Sequence, residues 1–419
     1  MIWVLIIVFF ALLALAVPVG HVLVIASGAA VWSSGMLPLT IVAQQMYTQT
    51  QSFPMLALPF FILAGSLMMS GRLGQNLIDF ATSLVQRFRG GLASVTVVGS
   101  MVFGGVSGSA VSDATALGSM LIPWQKREGY PAGFVAANNS AAATIAILIP
   151  PSIPLILYSL VSGVSIADLF IAGVLPGVAL TIAFVTVCNL SARFRNFAHH
   201  RQPFEWRRFG PLLLQASPAI AMPVLILVLL RFGIATPTEV SVLAVFYSLL
   251  AGILFYRDMT WRRFAHAVIA AGVATGVVML VIMASAVVGW IMTFVQAPQL
   301  FAAWAMETLQ APWLIILAMI GIMLVAGMFI DLPAAILLLG PIFVPLAQQI
   351  GLDLLQLGIL MVLTLALGLY TPPVGTTLFI SSSIARVSII QATRELWPFY
   401  LAALTVVLLF SYVPALTLQ

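Results

Sequence analysis

Long uncharged apolar runs are the feature that most constrains this chain. Stretches such as Leu212–Leu230 and Ala267–Val288 carry no charged side chain, and runs of this kind recur throughout the 419 residues. A helix needs about 20 mostly apolar residues to cross the hydrocarbon core of a bilayer. Only 6% of the residues are charged, against roughly 25% in a soluble domain. We therefore predict an all-α polytopic membrane protein.

The residue composition and the motifs also exclude several function classes. The net charge of +5 does not indicate nucleic-acid binding, because the basic residues lie in short loops rather than in a groove interleaved with aromatic residues. The single cysteine, Cys188, rules out an internal disulfide. The chain lacks a phosphate-binding loop motif, and its four histidines lack metal-ligand spacing. Met1–Val17 has no basic start and is expected to be a retained span rather than a cleaved signal.

Basic residues predict which loops face the cytoplasm. Fifteen of the sixteen lysines and arginines fall into five patches, and only Arg231 stands apart. The positive-inside rule places these patches on the cytoplasmic side. They are Arg72 with Arg87 and Arg89, Lys126-Arg127, Arg193 to Arg208, Arg257 to Arg263, and Arg386 with Arg394.

An ordered series of residues occurs twice along the chain. In each half an acidic residue in an apolar stretch is followed by a proline, then a glycine, and 21 residues after that glycine by a double proline. The first series is Asp113, Pro123, Gly129 and Pro150-Pro151, and the second is Asp331, Pro345, Gly351 and Pro372-Pro373. This order indicates an internal repeat.

Loop charges indicate how the two halves are related. Lys126-Arg127 follows the first proline, whereas Gln348-Gln349 occupies the matching place in the second half. Matching loops with opposite charge bias should face opposite sides of the membrane, as in the inverted repeats of secondary transporters. We expect halves at residues 1–192 and 211–419, joined by a cytoplasmic loop at 193–210. Each half should hold a re-entrant hairpin (about 92–124 and 313–346) and a proline-broken helix (about 132–159 and 354–385), with about ten full spans in all.

The acidic residues within apolar stretches are the candidate chemical groups. An ionised carboxylate in a spanning region costs roughly 3 kcal/mol unless it is paired, and no lysine or arginine lies near Asp113 in sequence. A cation or a proton from solution is the natural partner. The glycines and serines of Gly104–Ser112 offer carbonyl and hydroxyl oxygens, which suit a hard cation such as Na⁺. The alternative for the glycines is a small-residue packing seam.

Asp331 and the double prolines also have alternative interpretations. Asp331 is either a second ion ligand or a helix-end aspartate at a periplasmic turn. The double prolines either open a helix at a cavity or only kink it. Asn138 and Asn139 either face the same cavity or make packing contacts only. An intramembrane enzyme is disfavoured, because no histidine, cysteine or lysine accompanies the serines as a nucleophile-and-base set.

Five motifs stand out along the chain. They are Gly104–Ala114, Gly129-Tyr130, Ile149–Ser152, Met328–Asp331 and Thr371–Gly375. Together they resemble the motifs of a known transporter family, the large membrane subunit of tripartite ATP-independent periplasmic (TRAP) transporters, and the similarity covers nearly the whole chain.

The resemblance implies an elevator-type transporter in the bacterial inner membrane, in which a domain carrying both hairpins slides past a scaffold. It also implies a small four-helix membrane subunit, a separate periplasmic substrate-binding protein, contact with membrane lipid, and a Na⁺ gradient that drives uptake of a small organic acid such as a C4-dicarboxylate or sialic acid. A stand-alone carboxylate symporter of the same architecture is the alternative.

Site residues follow from the residue chemistry and the matching motifs together. The expected substrate contacts are Ser107, Ser109, Asn139, Ser152 and Thr376. The expected Na⁺ ligands are Ser107, Gly108, Asp113, Gly327, Asp331, Thr371 and Gly375.

Overall fold

The computed structural model describes residues 1–71, 73–85, 87–88, 90–195, 197 and 206–417, with the backbone alone at 53, 54, 206 and 208. Regular structure in this part of the chain is helical. The first half contains α1 (Ile2–Ala14), α2 (Val19–Ser34), α3 (Thr40–Thr50), α4 (Ala57–Met69), α5 (Leu73–Val85), α6 (Gly91–Ser107), α7 (Ala110–Arg127), α8 (Ala132–Ala142), α9 (Ile153–Ser162) and α10 (Ile166–Arg195).

The second half repeats several of these elements at a nearly constant offset in residue number. It contains α11 (Trp206–Arg231), α12 (Pro237–Leu250), α13 (Trp261–Phe294), α14 (Ala297–Leu309), α15 (Pro312–Phe329), α16 (Leu332–Ile350), α17 (Leu354–Gly368), α18 (Thr376–Ala385), α19 (Ile389–Glu395) and α20 (Trp397–Tyr412). Half of the predicted 193–210 connection, residues 196 and 198–205, lies outside the described residues, which resume with α11.

Six helices are long and apolar enough to cross a membrane, or up to eight if each of two bent helix pairs counts as one span. The six begin at Ile166, Phe209, Pro237, Trp261, Pro312 and Leu332. Several other apolar helices in the described part of the chain, including α6 and α8, are shorter than 18 residues. The number of ten full spans therefore stays a prediction.

The helices α6 and α7 form an antiparallel pair over residues 91–127, where the sequence suggested a hairpin at about 92–124. The side-chain amide of Gln125, near the end of α7, donates to the Leu92 carbonyl at 2.7 Å and to the Thr96 hydroxyl at 2.7 Å, near the start of α6. The chain reverses at Gly108 and Ser109 because Gly108 has φ +58°, which favours glycine, and Ser109 then caps α7. The helices α15 and α16 form the matching pair over residues 312–350.

Two interrupted helices lie at the centre of the bundle. The helix α8 continues as a 3₁₀ turn to Ile147, stops at Pro150-Pro151 and resumes as α9. The helix α17 stops before Pro372-Pro373 and resumes as α18. Both Pro-Pro peptide bonds are cis. Because proline removes a backbone donor and clashes with the preceding turn, each pair ends its helix. Every residue of α17 from Gln356 to Gly368 is buried.

The two halves exchange partners across the bundle. The second arm of the first pair, α7, packs against α18, which belongs to the second interrupted helix. Reciprocally, α16 packs against α9 of the first interrupted helix. Within their own halves, the first arm α6 packs against the 3₁₀ end of α8, and the first arm α15 packs against α17. This reciprocal pattern is what a two-fold relation between the halves produces.

Candidate functional site

The reversal at Gly108 lies directly against the first helix break. A Cβ atom placed on Gly108 would overlap the carbonyl oxygen of Pro151. In the second half the contact has a counterpart, because the Val374 amide donates to the Met328 carbonyl at 3.2 Å. Each double proline therefore meets the end of the preceding helix pair's first arm, and the sequence repeat is matched by a repeat of contacts.

Asp113 lies in the first turn of α7 and its side chain is fully buried. The Ser107 hydroxyl donates to Oδ1 of Asp113, and the Ser109 amide donates to the Ser107 hydroxyl at 3.3 Å. The other carboxylate oxygen, Oδ2, has no hydrogen-bond partner among the described residues. A buried carboxylate oxygen without a partner is costly, so this position favours a bound cation or proton.

Asp331 occupies the matching reversal, at the N-cap of α16, but its side chain is exposed and makes no capping bond. Behind it α15 and α17 touch through glycines, since a Cβ on Gly368 would overlap the backbone of Gly327. Small residues at such a crossing let main chains approach closely. The carbonyl groups of this region therefore lie near the second break.

Two hydroxyl groups at the second break differ in their hydrogen bonding. Thr371 Oγ1 donates to the Leu367 carbonyl at 2.6 Å, so this hydroxyl satisfies a carbonyl at the end of its helix. The chain then turns through Gly375 at φ +48°. The buried Oγ1 of Thr376 has no hydrogen-bond partner among the described residues, which leaves it available to a ligand.

Two crevices meet at the reversal of the first pair. The smaller has a volume of about 140 Å³ and is lined by Gly108, Ser109 and Asp331, so it brings together the reversals of both helix pairs. The larger has a volume of about 480 Å³, within the range of small-molecule sites. Its polar lining consists of Ser66, Ser70, Ser107, Ser109, Ser112 and His266. The two crevices share Ser109, Ile153 and Val278.

Two of the predicted substrate contacts have other roles in the structure. Asn139 is almost fully buried, and its amide nitrogen donates to the Ala114 carbonyl at 3.0 Å and to the Ser381 hydroxyl at 2.8 Å. Ser152 is buried, donates to the Ile147 carbonyl and caps α9. Neither is among the described residues that line the two crevices. In the structure both side chains therefore bond to neighbouring helices or to their own helix break, and the substrate role of each stays a prediction.

Sequence reasoning missed three crevice residues. Ser66 and Ser70 lie on α4 or just after it, and His266 lies on α13, far from the motif that contains Asp113. The sequence offered one signal for the two serines, namely their spacing: Ser66 and Ser70 are one turn apart and so share a helix face. His266 follows the basic cluster Arg257–Arg263 at the start of a long apolar helix.

The motifs, the two helix pairs and the two breaks agree with one family. The family described as "Tripartite ATP-independent periplasmic transporter, DctM component" matches residues 6–416. The chain belongs to this DctM family. It is therefore the large membrane subunit type of a TRAP transporter, an inner-membrane transport protein and not an enzyme.

Individual relatives extend over the same length as this DctM protein. The protein y4mL of Sinorhizobium fredii is 59% identical over 99% of both chains. The C4-dicarboxylate TRAP transporter large permease protein DctM of Pseudomonas aeruginosa is 33% identical over 90% of this chain and 88% of its own. Among solved structures, the Alcanivorax borkumensis YdaH transporter covers 90% of this chain and 88% of its own with a TM-score of 0.58. At 16% identity this likeness concerns the fold alone.

Proposed function

We propose that this DctM protein takes up a small organic acid across the inner membrane, coupled to Na⁺. It would act with a small four-helix membrane subunit and a periplasmic binding protein, as the three-part family description suggests. The observation that carries the proposal is the buried Asp113 carboxylate, with one oxygen unpartnered, beside a serine-lined crevice. The P. aeruginosa relative named for C4-dicarboxylates supports a carboxylate as substrate.

The first Na⁺ would bind at the reversal of α6 and α7. The ligands would be the Asp113 carboxylate, the Ser107 hydroxyl and a carbonyl at Gly108. Na⁺ is a hard cation and prefers oxygen ligands, and a cation here would offset the burial cost of the carboxylate. Ser107 already donates its proton to Asp113 and accepts from the Ser109 amide, so one lone pair of its oxygen remains available to the cation.

The second Na⁺ would bind at the matching reversal, where the predicted ligands are Gly327, Asp331, Thr371 and Gly375. Support comes from the repeat of contacts at the two breaks, because Val374 bonds to Met328 beside this site. The exposed Asp331 side chain also lines the smaller crevice. We propose that this carboxylate turns inward when the ion binds.

The substrate would lie where the two crevices meet, against Ser107 and Ser109 of the first reversal. Ser109 caps α7, so the positive end of that helix faces the same space and favours a negative group. Thr376 has an unpartnered hydroxyl and stays the proposed contact from the second half, although it is not among the described residues that line the two crevices. No lysine or arginine is among the described lining residues of either crevice, so these neutral donors would hold the carboxylate.

Alternating access would follow from the reciprocal packing of the halves. We propose that the two helix pairs are re-entrant hairpins from opposite membrane faces and that they move together as the transport domain of an elevator. The inverted arrangement is testable with single cysteines. Lys126→Cys should react with an impermeant thiol reagent only from the cytoplasm, and Ile350→Cys only from the periplasm, in a Cys188→Ser background. Labelling of both from one side would reject the inverted topology.

Uptake by proteoliposomes tests the function. The chain is reconstituted with or without the small subunit and binding protein, and uptake of labelled organic acids is followed under imposed Na⁺ or H⁺ gradients. Uptake that requires both partners and Na⁺ is the expected result. Uptake by the chain alone would support the stand-alone symporter, and a proton-driven signal would reject Na⁺ coupling.

A further inference from the structure

The larger crevice extends well away from the reversal at Ser109. Along α4 it is lined from Ile62 to Ser70, and along α13 from Val278 back to His266. His266 lies 12 residues before Val278, or about 18 Å along the helix axis. A small organic acid bound at Ser109 and Val278 therefore does not reach His266, and the far end of the crevice is a separate place.

The positive-inside rule places the far end of the crevice on the cytoplasmic side. His266 follows Arg262 and Arg263 by about one turn, in one of the five basic patches. Asp258 joins the rim, because it pairs with Arg263 at 3.1 Å and its carboxylate lies against Gly71, the residue after Ser70. The crevice thus leads from the substrate site to a rim that holds the ends of α4 and α13 together.

The lining of this route is small and neutral except at one place. On α13 the crevice is lined by Ala267, Ala270 and Ala274, which leave room beside α4. Ser66 and Ser70 supply hydroxyl groups from the opposite wall. His266 is the single titratable residue among the described residues that line the crevice, and its side chain is exposed. An imidazole donates at least one N–H in every protonation state.

We propose that His266, with Ser66 and Ser70, forms a release site for the substrate's carboxylate on its way to the cytoplasm. This inference rests on the proposed function, since it assumes an organic acid at Ser109. It adds a second anion contact on α4 and α13, separate from the site at the reversals. The anion leaves the Ser109 site, is held by His266 and the two serines, and passes the arginine-rich rim.

Thiol labelling tests this without any transport. Ala270→Cys, one turn from His266 within the crevice, is introduced with Cys188→Ser, which keeps a hydroxyl donor for Asn138 Oδ1 in place of the thiol that lies 3.3 Å away. Inside-out membrane vesicles are treated with an anionic methanethiosulfonate carrying a sulfonate and with a cationic one carrying a trimethylammonium. The ratio of the two labelling rates measures how strongly the site attracts an anion.

His266→Leu should lower this anionic-to-cationic ratio about tenfold, as expected for the loss of one hydrogen bond to a charged group. His266→Gln, which keeps an N–H donor, should stay within about twofold of the parent. His21→Leu, an exposed histidine outside the crevice lining, is the matched control and should change nothing.

An unchanged ratio in His266→Leu, or an equal fall in the His21→Leu control, would overturn the release site. Labelling of Ala270→Cys from the periplasmic side alone would also overturn it, because the route would then open the wrong way. Since labelling needs no substrate or partner, a chain that fails the uptake assay can still pass this test, and the two failures are distinguishable.

Discussion

Gly108→Ala is the substitution for which the structure gives the clearest magnitude. The residue has φ +58°, a conformation that costs an L-residue roughly 1–2 kcal/mol. The added Cβ would also overlap the Pro151 carbonyl oxygen, so the reversal of α6 and α7 must move away from the first break. Forcing extra volume into a packed region typically costs about 1–3 kcal/mol. The expected loss in free energy of unfolding is therefore about 2–5 kcal/mol.

Gly163→Ala supplies the matched control. Gly163 ends α9 with φ +74°, and a Cβ there would have no heavy atom within 4 Å. The backbone cost is shared, so the difference between the two variants isolates the contact with Pro151. We would measure denaturant unfolding in detergent and Na⁺-dependent uptake for both. Gly108→Ala should lose more stability and also lose uptake. If the two variants are equally stable, the reversal does not press on the break, and the proposed ion and substrate geometry fails with it.

Two further predictions concern the carboxylates and the glycine crossing. Asp113→Asn and Asp331→Asn should insert normally but lose Na⁺-dependent uptake, because a neutral amide does not balance a cation, and wild-type uptake rates in either variant would remove that residue from the ion sites. Gly368→Ala should destabilise the protein by about 1–3 kcal/mol, because its Cβ would overlap the Gly327 backbone. Gly321→Ala on α15, with open space around it, should be neutral or slightly stabilising. Thermal unfolding in detergent compares the two variants, and equal midpoints would contradict the close crossing.

Local sequence patterns predicted the elements around the site well. The double prolines identified both helix breaks because proline acts on its own helix, whatever packs around it. Gly108 and Ser109 could be recognised as a reversal before α7, since a glycine followed by a serine cap is a local signal. The positions of Asp113 and Asp331 at matching reversals follow from the order of the repeat.

Residues whose role depends on tertiary packing were harder to predict. Asn139 and Ser152 are polar residues in apolar segments, and sequence alone does not show whether such a residue faces a cavity or bonds to a neighbouring backbone. His266 and Ser66 line the same crevice as Ser109 only because α4 and α13 pack together, which no short motif encodes.

The exchange of partners between the halves also has a consequence for how the protein is made. The helix α7 leaves the ribosome about 250 residues before its partner α18 is complete. At about 5–20 residues per second, the first hairpin waits roughly 12 to 50 seconds in the membrane with that face uncovered. The face of α7 that later packs against α18 must be sheltered during this interval by lipid headgroups, water or an insertion factor. Biogenesis of this protein is therefore most vulnerable between the two halves of its synthesis.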